Sequence, residues 1–367
     1  SLILIVLGFS FYDQRFLEAT NLLNSLSIDE LNYIKLSNGD SNVAKIHRCR
    51  LLLPFIAANS PLTVIKSIII INLVSFFFLI IYICKILDRF LISKQIIVLS
   101  VGITFFSFSV AYNFFNPYLT DLPGLFTICI YIFSIIEKRF YQSLFWISIS
   151  LFFRETAIIF APLFFITFSK SFSLLASLVI SAIFVIPKLI IAGDINCGFN
   201  NSIFAINHLL EYEFLAKSFL SFGFIMFVSL IGFFSLREYR GHLFQVGIII
   251  FIFGILGAFF SSIKSYTDVT RMYFVLYPIL SLGLALTLKK IIHLKYIFFL
   301  LIILFLSTII LSIGLVPNFL INGDFNSLDE LAESNFTIIL FSICFQGIIS
   351  LVLIYYYLKQ LKINKIK

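Results

Sequence analysis

Residues 141–168 read YQSLFWISISLFFRETAIIFAPLFFITF, two apolar runs separated by Arg154, Glu155 and Thr156. If the stretch is one helix, it buries two charged residues midway across a membrane. If it is two helices, each run of thirteen residues spans only about 20 Å, against about 30 Å for the hydrocarbon core of a bilayer. The choice decides on which side of the membrane every later loop lies.

The chain as a whole has the composition of a polytopic helical membrane protein. Of its 367 residues, 60% are hydrophobic and 12% are charged, whereas soluble domains carry about 25% charged residues. The apolar runs are continuous rather than alternating, which excludes a transmembrane β-barrel. We predict an all-α fold, a single transmembrane domain over 1–367, with about twelve segments, including a pair of short helices. The predicted segments are 1–10, 62–84, 96–114, 121–136, 141–153, 156–168, 172–191, 216–236, 243–262, 271–288, 296–315 and 336–358.

The distribution of charge favours two short helices within 141–168. With two helices, fifteen of the 26 Lys and Arg residues fall on one side, which the positive-inside rule identifies as the cytoplasm. With one long helix, the two halves of the chain contradict each other. Both ends are then cytoplasmic, and the long loop 11–61 is extracytoplasmic. The net charge of +8 therefore reflects topology and attraction to membrane lipid rather than nucleic acid.

Fifteen of the eighteen Asp and Glu residues lie on the outer side in this topology. Carboxylates contribute little to orientation, so their concentration suggests that any chemistry takes place on the extracytoplasmic face. The five cysteines form no CxxC pair and no Cys/His cluster, which predicts neither a metal site nor a disulfide framework. The cysteines are Cys49, Cys84, Cys129, Cys197 and Cys344.

Asp13 is the first candidate for a chemical role. It follows the first apolar segment in the sequence Phe-Tyr-Asp-Gln-Arg-Phe (11–16). A carboxylate at the rim of the bilayer can reach both a lipid headgroup and a water-borne acceptor, which suits a general base. The alternative is an ordinary acid at a helix end beside an interfacial aromatic residue.

Arg48 and Arg50 precede the second segment on the outer side, where positive charge is disfavoured. Guanidinium groups match the oxygens of phosphate, so binding a phosphate group would explain them. The alternative is pairing with Asp13, Glu18 or Asp40.

Three further stretches place charged residues at outer helix ends. Asp121 lies in a tight outer turn, where it is either an N-cap residue or a member of the same cavity as Asp13. Arg154 and Glu155 are adjacent, so on a regular helix they would point in different directions rather than pair. Asp268 and Arg271 share one helical face, where they form an internal ion pair or contribute to the outer site.

The order of these features resembles the GT-C superfamily of polytopic glycosyltransferases. The similar stretches are Tyr-Asp-Gln-Arg-Phe (12–16), 48–54, 116–124 and Arg-Glu-Thr (154–156), and the resemblance is looser after residue 160. It implies inverting transfer of a sugar from a polyprenyl-phosphate donor to a glycan, lipid or protein acceptor. Asp13 would be the general base, and Arg48, Arg50, Arg154 and Arg271 would neutralise the leaving phosphate.

The resemblance also bears on cofactors and location. Many members carry paired acids at the first site, whereas Gln14 follows Asp13 here, so we predict no metal ligands, although the resemblance still allows a divalent metal. The bacterial members that make cell-surface glycopolymers place the active site on the outer face of the plasma membrane. Two other classes fit twelve spans with polar outer residues: a transporter or lipid flippase, and a polysaccharide polymerase or ligase.

Overall fold

The computed structural model of the 367-residue chain is all-helical over the residues that it describes, with α-helices, short 3-10 helices and no β-strand among them. This confirms the predicted all-α class. The first predicted segment, 1–10, and the whole of loop 11–61 before residue 28 lie outside the described residues. The described residues are 28–40, 43, 45–115, 119–187, 189, 219–264, 273–294, 296–322 and 328–366.

Three 3-10 helices, Glu155–Phe160, Phe233–Glu238 and Tyr273–Leu276, extend or join the α-helices in the described part of the chain. In chain order the α-helices are α1 (Ile28–Ser37), α2 (Lys45–Arg48), α3 (Leu52–Ala58), α4 (Val64–Arg89), α5 (Lys94–Phe105), α6 (Phe108–Phe115), α7 (Asp121–Ile136), α8 (Phe140–Phe153), α9 (Leu163–Thr167), α10 (Lys170–Pro187), α11 (Ile225–Gly232), α12 (His242–Lys264), α13 (Tyr277–Ile291), α14 (Ile297–Asn322) and α15 (Leu328–Ile366).

Four helical stretches of the described residues are long and apolar enough to cross a membrane: Val64–Arg89, His242–Phe259, Tyr273–Ile291 and Leu340–Leu361. They support a membrane protein, while the count of twelve segments stays a prediction. Shorter apolar helices accompany them at Lys94–Phe105, Asp121–Ile136, Phe140–Phe153, Glu155–Thr167, Lys170–Ile186 and Ile297–Leu311.

The predicted segment 96–114 is not one helix. It is divided between α5 and α6 at residues 106 and 107. The Ser107 hydroxyl donates to the Thr104 carbonyl oxygen (2.7 Å), and the Val110 amide donates to the Ser107 carbonyl oxygen (3.1 Å). Short local bonds of this kind compete with the regular helical ladder, which accounts for the break in an otherwise apolar run.

The stretch 141–168 forms two short helical pieces that run in opposite directions. Helix α8 ends at Phe153, and Arg154 has extended backbone angles (φ −148°, ψ 127°) before the 3-10 helix begins. The chain then runs back along α8, because the ring of Phe168 lies 5.2 Å from that of Phe140, the first residue of α8. The Tyr131 hydroxyl also donates to the Phe160 carbonyl oxygen (2.9 Å). The division at Arg154 agrees with the interpretation based on charge.

At one end of the bundle the predicted cytoplasmic loops meet. Arg89, the last residue of α4, places its Nε 2.5 Å from Glu137 Oε1, just after α7. Tyr239 donates its hydroxyl to the Phe90 carbonyl oxygen (2.5 Å) and accepts a hydrogen bond from Lys289 Nζ (3.0 Å). The ends of α4, α7 and α13 therefore lie together. We call this region the basic end.

Helices α11 and α13 approach each other closely through two glycines. A Cβ added to Gly283 would lie 2.3 Å from the Ser229 carbonyl oxygen, and one added to Gly232 would lie 1.9 Å from the Gly283 carbonyl oxygen. The Thr287 hydroxyl donates across the same contact to the Val228 carbonyl oxygen (2.8 Å). Small residues that allow such an approach are typical of helix pairs in membranes.

We expect Gly283→Ala to destabilise the protein, because the added methyl group would collide with the backbone of α11. Overpacking of this kind costs about 1–3 kcal/mol. Gly102→Ala is the matched control: Gly102 lies within α5, and an added Cβ would meet nothing within 4 Å, so the better helix propensity of Ala should stabilise it by up to about 1 kcal/mol. The midpoint of thermal unfolding in detergent measures both, and equal midpoints would contradict the close contact.

Candidate functional site

Arg50 lies at the centre of a buried polar cluster opposite the basic end along α7 and α8. Its Nε and Nη2 donate to Glu155 Oε2 (3.2 Å) and Oε1 (3.1 Å), a two-point ion pair. Its Nη1 donates to the Tyr33 hydroxyl oxygen (3.0 Å). Arg50 and Glu155 are 3% and 2% exposed. The pair joins the segment before α3 to the start of the 3-10 helix, 105 residues later.

A second ion pair lies beside the first. Arg154 Nη1 contacts Asp121 Oδ1, and both residues are buried. Gly124, one turn into α7, makes room for the arginine, since a Cβ there would lie 3.2 Å from Arg154 Cγ. The carboxylate of Asp121 lies in the first turn of α7, where the helix dipole favours negative charge. Thr120 holds the N-cap position, so the interpretation of Asp121 as an N-cap residue was wrong.

The break after α8 explains why the adjacent residues Arg154 and Glu155 contact different partners. Successive side chains of an extended backbone point to opposite sides, and Arg154 is the extended residue between α8 and the 3-10 helix. Arg154 therefore contacts Asp121 on α7, while Glu155 contacts Arg50. The expectation that Arg154 and Glu155 do not simply pair with each other agrees with this geometry.

Tyr33 links the two ion pairs and was not a candidate from the sequence. Its side chain is fully buried, and its hydroxyl lies 3.3 Å from Thr120 Oγ1, next to Asp121. The ring of His47, also buried, packs edge-on against that of Tyr33 at 4.9 Å. Three separate stretches of the chain thus meet at one hydroxyl group. A single Tyr in a mixed helix such as α1 carries no pattern that would have singled it out.

The structure brings together four of the eight predicted site residues: Arg50, Asp121, Arg154 and Glu155. Arg48 takes no part in these two ion pairs, and its Nε donates to the Val43 carbonyl oxygen (3.0 Å). The other three predicted residues, and with them the shared cavity expected around the general base, lie outside the described residues. They are Asp13, Asp268 and Arg271.

Among the described residues, the two ion pairs of the cluster join two positive and two negative charges. Burying an ion pair is costly unless its geometry is good and its remaining polar atoms are bonded. Arg50 meets this condition with three hydrogen bonds. Chemically, the cluster offers two guanidinium groups held in fixed positions, which suits the binding of phosphate oxygens, and two carboxylates that are occupied as their partners.

Cys49, the neighbour of Arg50, is disulfide-bonded, whereas Cys84, Cys129 and Cys344 are free thiols. The expectation that the cysteines form no disulfide was therefore wrong for Cys49. A disulfide next to Arg50 restrains the backbone that carries this guanidinium. Disulfides persist in oxidising compartments, which agrees with the predicted extracytoplasmic position of loop 11–61.

Within the described ranges, no group of three or more His, Cys, Asp or Glu side chains could hold a metal ion. No protein-family model, no curated protein and no solved structure matches the chain.

We expect Glu155→Gln to destabilise the protein strongly, because it leaves the buried guanidinium of Arg50 without its counter-charge. Removing one partner of a buried pair costs about 3–5 kcal/mol. Glu137→Gln is the matched control, since Glu137 pairs with Arg89, whose side chain is 47% exposed, and exposed pairs contribute about 0–1 kcal/mol. Denaturant titration of the purified protein compares the two free energies of unfolding. A loss as small for Glu155→Gln as for Glu137→Gln would contradict the role given to this pair.

Proposed function

We propose that the chain is a multi-pass membrane glycosyltransferase that moves a sugar from a polyprenyl-phosphate donor to an acceptor on the extracytoplasmic face. The observation that carries the proposal is the buried cluster at the end of α7 and α8 opposite the basic end. Four residues chosen from the sequence for this chemistry, from three stretches of the chain, lie in one cluster.

In the proposed reaction, the two arginines of the cluster bind the phosphate of the donor. A guanidinium presents a rigid fork of donors to phosphate, and Arg50 and Arg154 are each fixed by a carboxylate before any substrate arrives. Donors fixed in advance stabilise a developing charge without reorganisation. The charge to be stabilised is that of the polyprenyl phosphate as it leaves the sugar.

In the proposed reaction, Asp13 takes the proton from the acceptor hydroxyl. The resulting oxygen nucleophile forms a bond to the anomeric carbon, and the bond from that carbon to the phosphate oxygen breaks with inversion. The electron pair leaves on the lipid phosphate, which the arginines neutralise. Asp13 follows the first predicted segment, so the predicted topology puts it at the depth of the outer headgroups, where such a lipid presents its sugar.

The sidedness of the charges supports an outward-facing site. The basic end gathers loops whose Lys and Arg residues the positive-inside rule places in the cytoplasm, and the ion-pair cluster lies at the other end of α7 and α8. We propose the plasma membrane of a bacterium as the location, with a glycan, lipid or protein as acceptor. A divalent metal is not needed for the steps given.

A transporter or lipid flippase is the second candidate, and a row of buried polar side chains on α15 favours it. Ser342, Gln346 and Ser350 recur at one-turn spacing and are at most 2% exposed. Both hydroxyls and the Gln346 amide oxygen lack hydrogen-bond partners among the described residues. Polar groups inside a membrane domain often mark substrate or ion pathways.

We expect Asp13→Asn to lower sugar transfer from a polyprenyl-phosphate donor about 10²–10⁴-fold, the usual contribution of a positioned general base. The amide keeps the shape of the side chain but cannot accept the proton. Transfer of radiolabelled sugar by the reconstituted protein measures the effect. The control is Glu18→Gln, which neutralises another carboxylate five residues further along the chain and should change transfer little.

Near-normal transfer by Asp13→Asn would contradict the role of Asp13 as general base. Asp121 and Asp268 would then be the remaining candidates for the base. If the unmutated protein turned over no lipid-linked sugar, the transporter would become the leading candidate.

A further inference from the structure

A row of aromatic side chains lies on the surface formed by α4, α7 and α8. Tyr82 lies between Phe126 (ring centroids 6.1 Å apart) and Phe133 (5.8 Å), Phe78 lies 5.9 Å from Phe126, and Trp146 lies 6.3 Å from Phe126. Phe78 is exposed and the other four are partly exposed. We call these five residues the aromatic face. Its rings form a continuous apolar strip on which a lipid chain can lie.

Two cations lie at the end of the aromatic face that is nearest to the basic end. Lys85 Nζ lies 4.5 Å from the centroid of the Tyr82 ring and 5.9 Å from that of Phe133. The guanidinium carbon of Arg89 lies 5.7 Å from the Phe133 centroid. Lys85 and Arg89 are one turn apart on α4, so they share a helical face, and both are exposed. Cation–π contacts hold the charges over the rings.

The charges around this pair leave it able to attract an anion. Glu137 accepts from Arg89 (2.5 Å) and lies 3.7 Å from Arg139 Nη2, and Asp88 is exposed on α4 beside Arg89. Lys138 and Arg139, also exposed, follow Glu137 in the turn after α7. Among the described residues at the end of α4 and in the turn after α7, there are thus four cations and two carboxylates, an excess of two positive charges at the end of an apolar strip.

We propose that the aromatic face, together with Lys85 and Arg89, is a binding site for an anionic glycerophospholipid of the membrane leaflet at the basic end. The lipid phosphate lies at Lys85 and Arg89, and an acyl chain follows Phe133, Tyr82 and Phe126 towards Trp146. Basic pockets between membrane helices on the cytoplasmic side bind anionic headgroups in this way. The site is separate from the ion-pair cluster and does not depend on the transferase reaction.

The chain provides its own reporter, because Trp146 is the only tryptophan in the sequence. It lies six residues beyond Phe140, about 9 Å along α8 from the basic end, at the depth of the upper acyl chain. The protein is reconstituted in phosphatidylcholine bilayers that contain a small, equal fraction of either brominated phosphatidylglycerol or brominated phosphatidylcholine. Bromine atoms on the acyl chain quench tryptophan fluorescence on contact.

We expect brominated phosphatidylglycerol to quench Trp146 more strongly than brominated phosphatidylcholine at the same mole fraction. In Lys85→Gln/Arg89→Gln the excess should disappear, since apparent affinity falls about fivefold for each charge removed. The conservative pair Lys85→Arg/Arg89→Lys should keep the excess, which separates loss of charge from loss of fold. Lys359→Gln removes an exposed cation of α15 and should also keep it.

Equal quenching by the two brominated lipids in the unmutated protein would overturn the proposal, as would an excess that survives in Lys85→Gln/Arg89→Gln. Added soluble glycerol phosphate should leave the excess unchanged, because it lacks the acyl chain. Full competition by glycerol phosphate would show a site for the phosphate alone and would overturn the assignment to a lipid.

Discussion

The ion pair between Arg50 and Glu155 holds the described part of the stretch 11–61 against the helical bundle. It is buried, has two contact points and joins residues 105 positions apart. Tyr33 and its hydrogen bond to Arg50 extend the link to α1. Because an unpaired charge at this place would cost several kcal/mol, the positions of α1, α3 and the 3-10 helix depend on one another.

The break at Arg154 makes this arrangement feasible. One extended residue reverses the chain and sends two neighbouring charged side chains to different partners. A continuous helix would carry both charges into the apolar interior. The same residue therefore sets the direction of the later segments and the geometry of the cluster, so topology and candidate site are consequences of a single local feature.

Much of the helical architecture could be predicted from continuous apolar runs: the predicted 121–136 coincides with α7, and the charge pattern divided 141–168 correctly. The partner of Arg50 could not be predicted, because Glu155 is distant in sequence and no spacing rule connects them. The role of Tyr33 and the disulfide of Cys49 could not be predicted for the same reason, because each depends on contacts with residues that are distant in the sequence. The helix break at 106–107 was not predicted because it depends on one serine hydroxyl in an apolar run.

We infer that the ion-pair cluster and the basic end lie on opposite sides of one membrane, with the cluster outside. Single cysteines at Asn38, just after α1, and at Ser93, just before α5, test it, since both positions are exposed. The background lacks the three free thiols and keeps Cys49, whose disulfide lies beside the cluster. A membrane-impermeant maleimide added to intact cells should label position 38 above the background and leave position 93 unlabelled. Labelling of position 93 but not of position 38 would show the opposite orientation in the membrane.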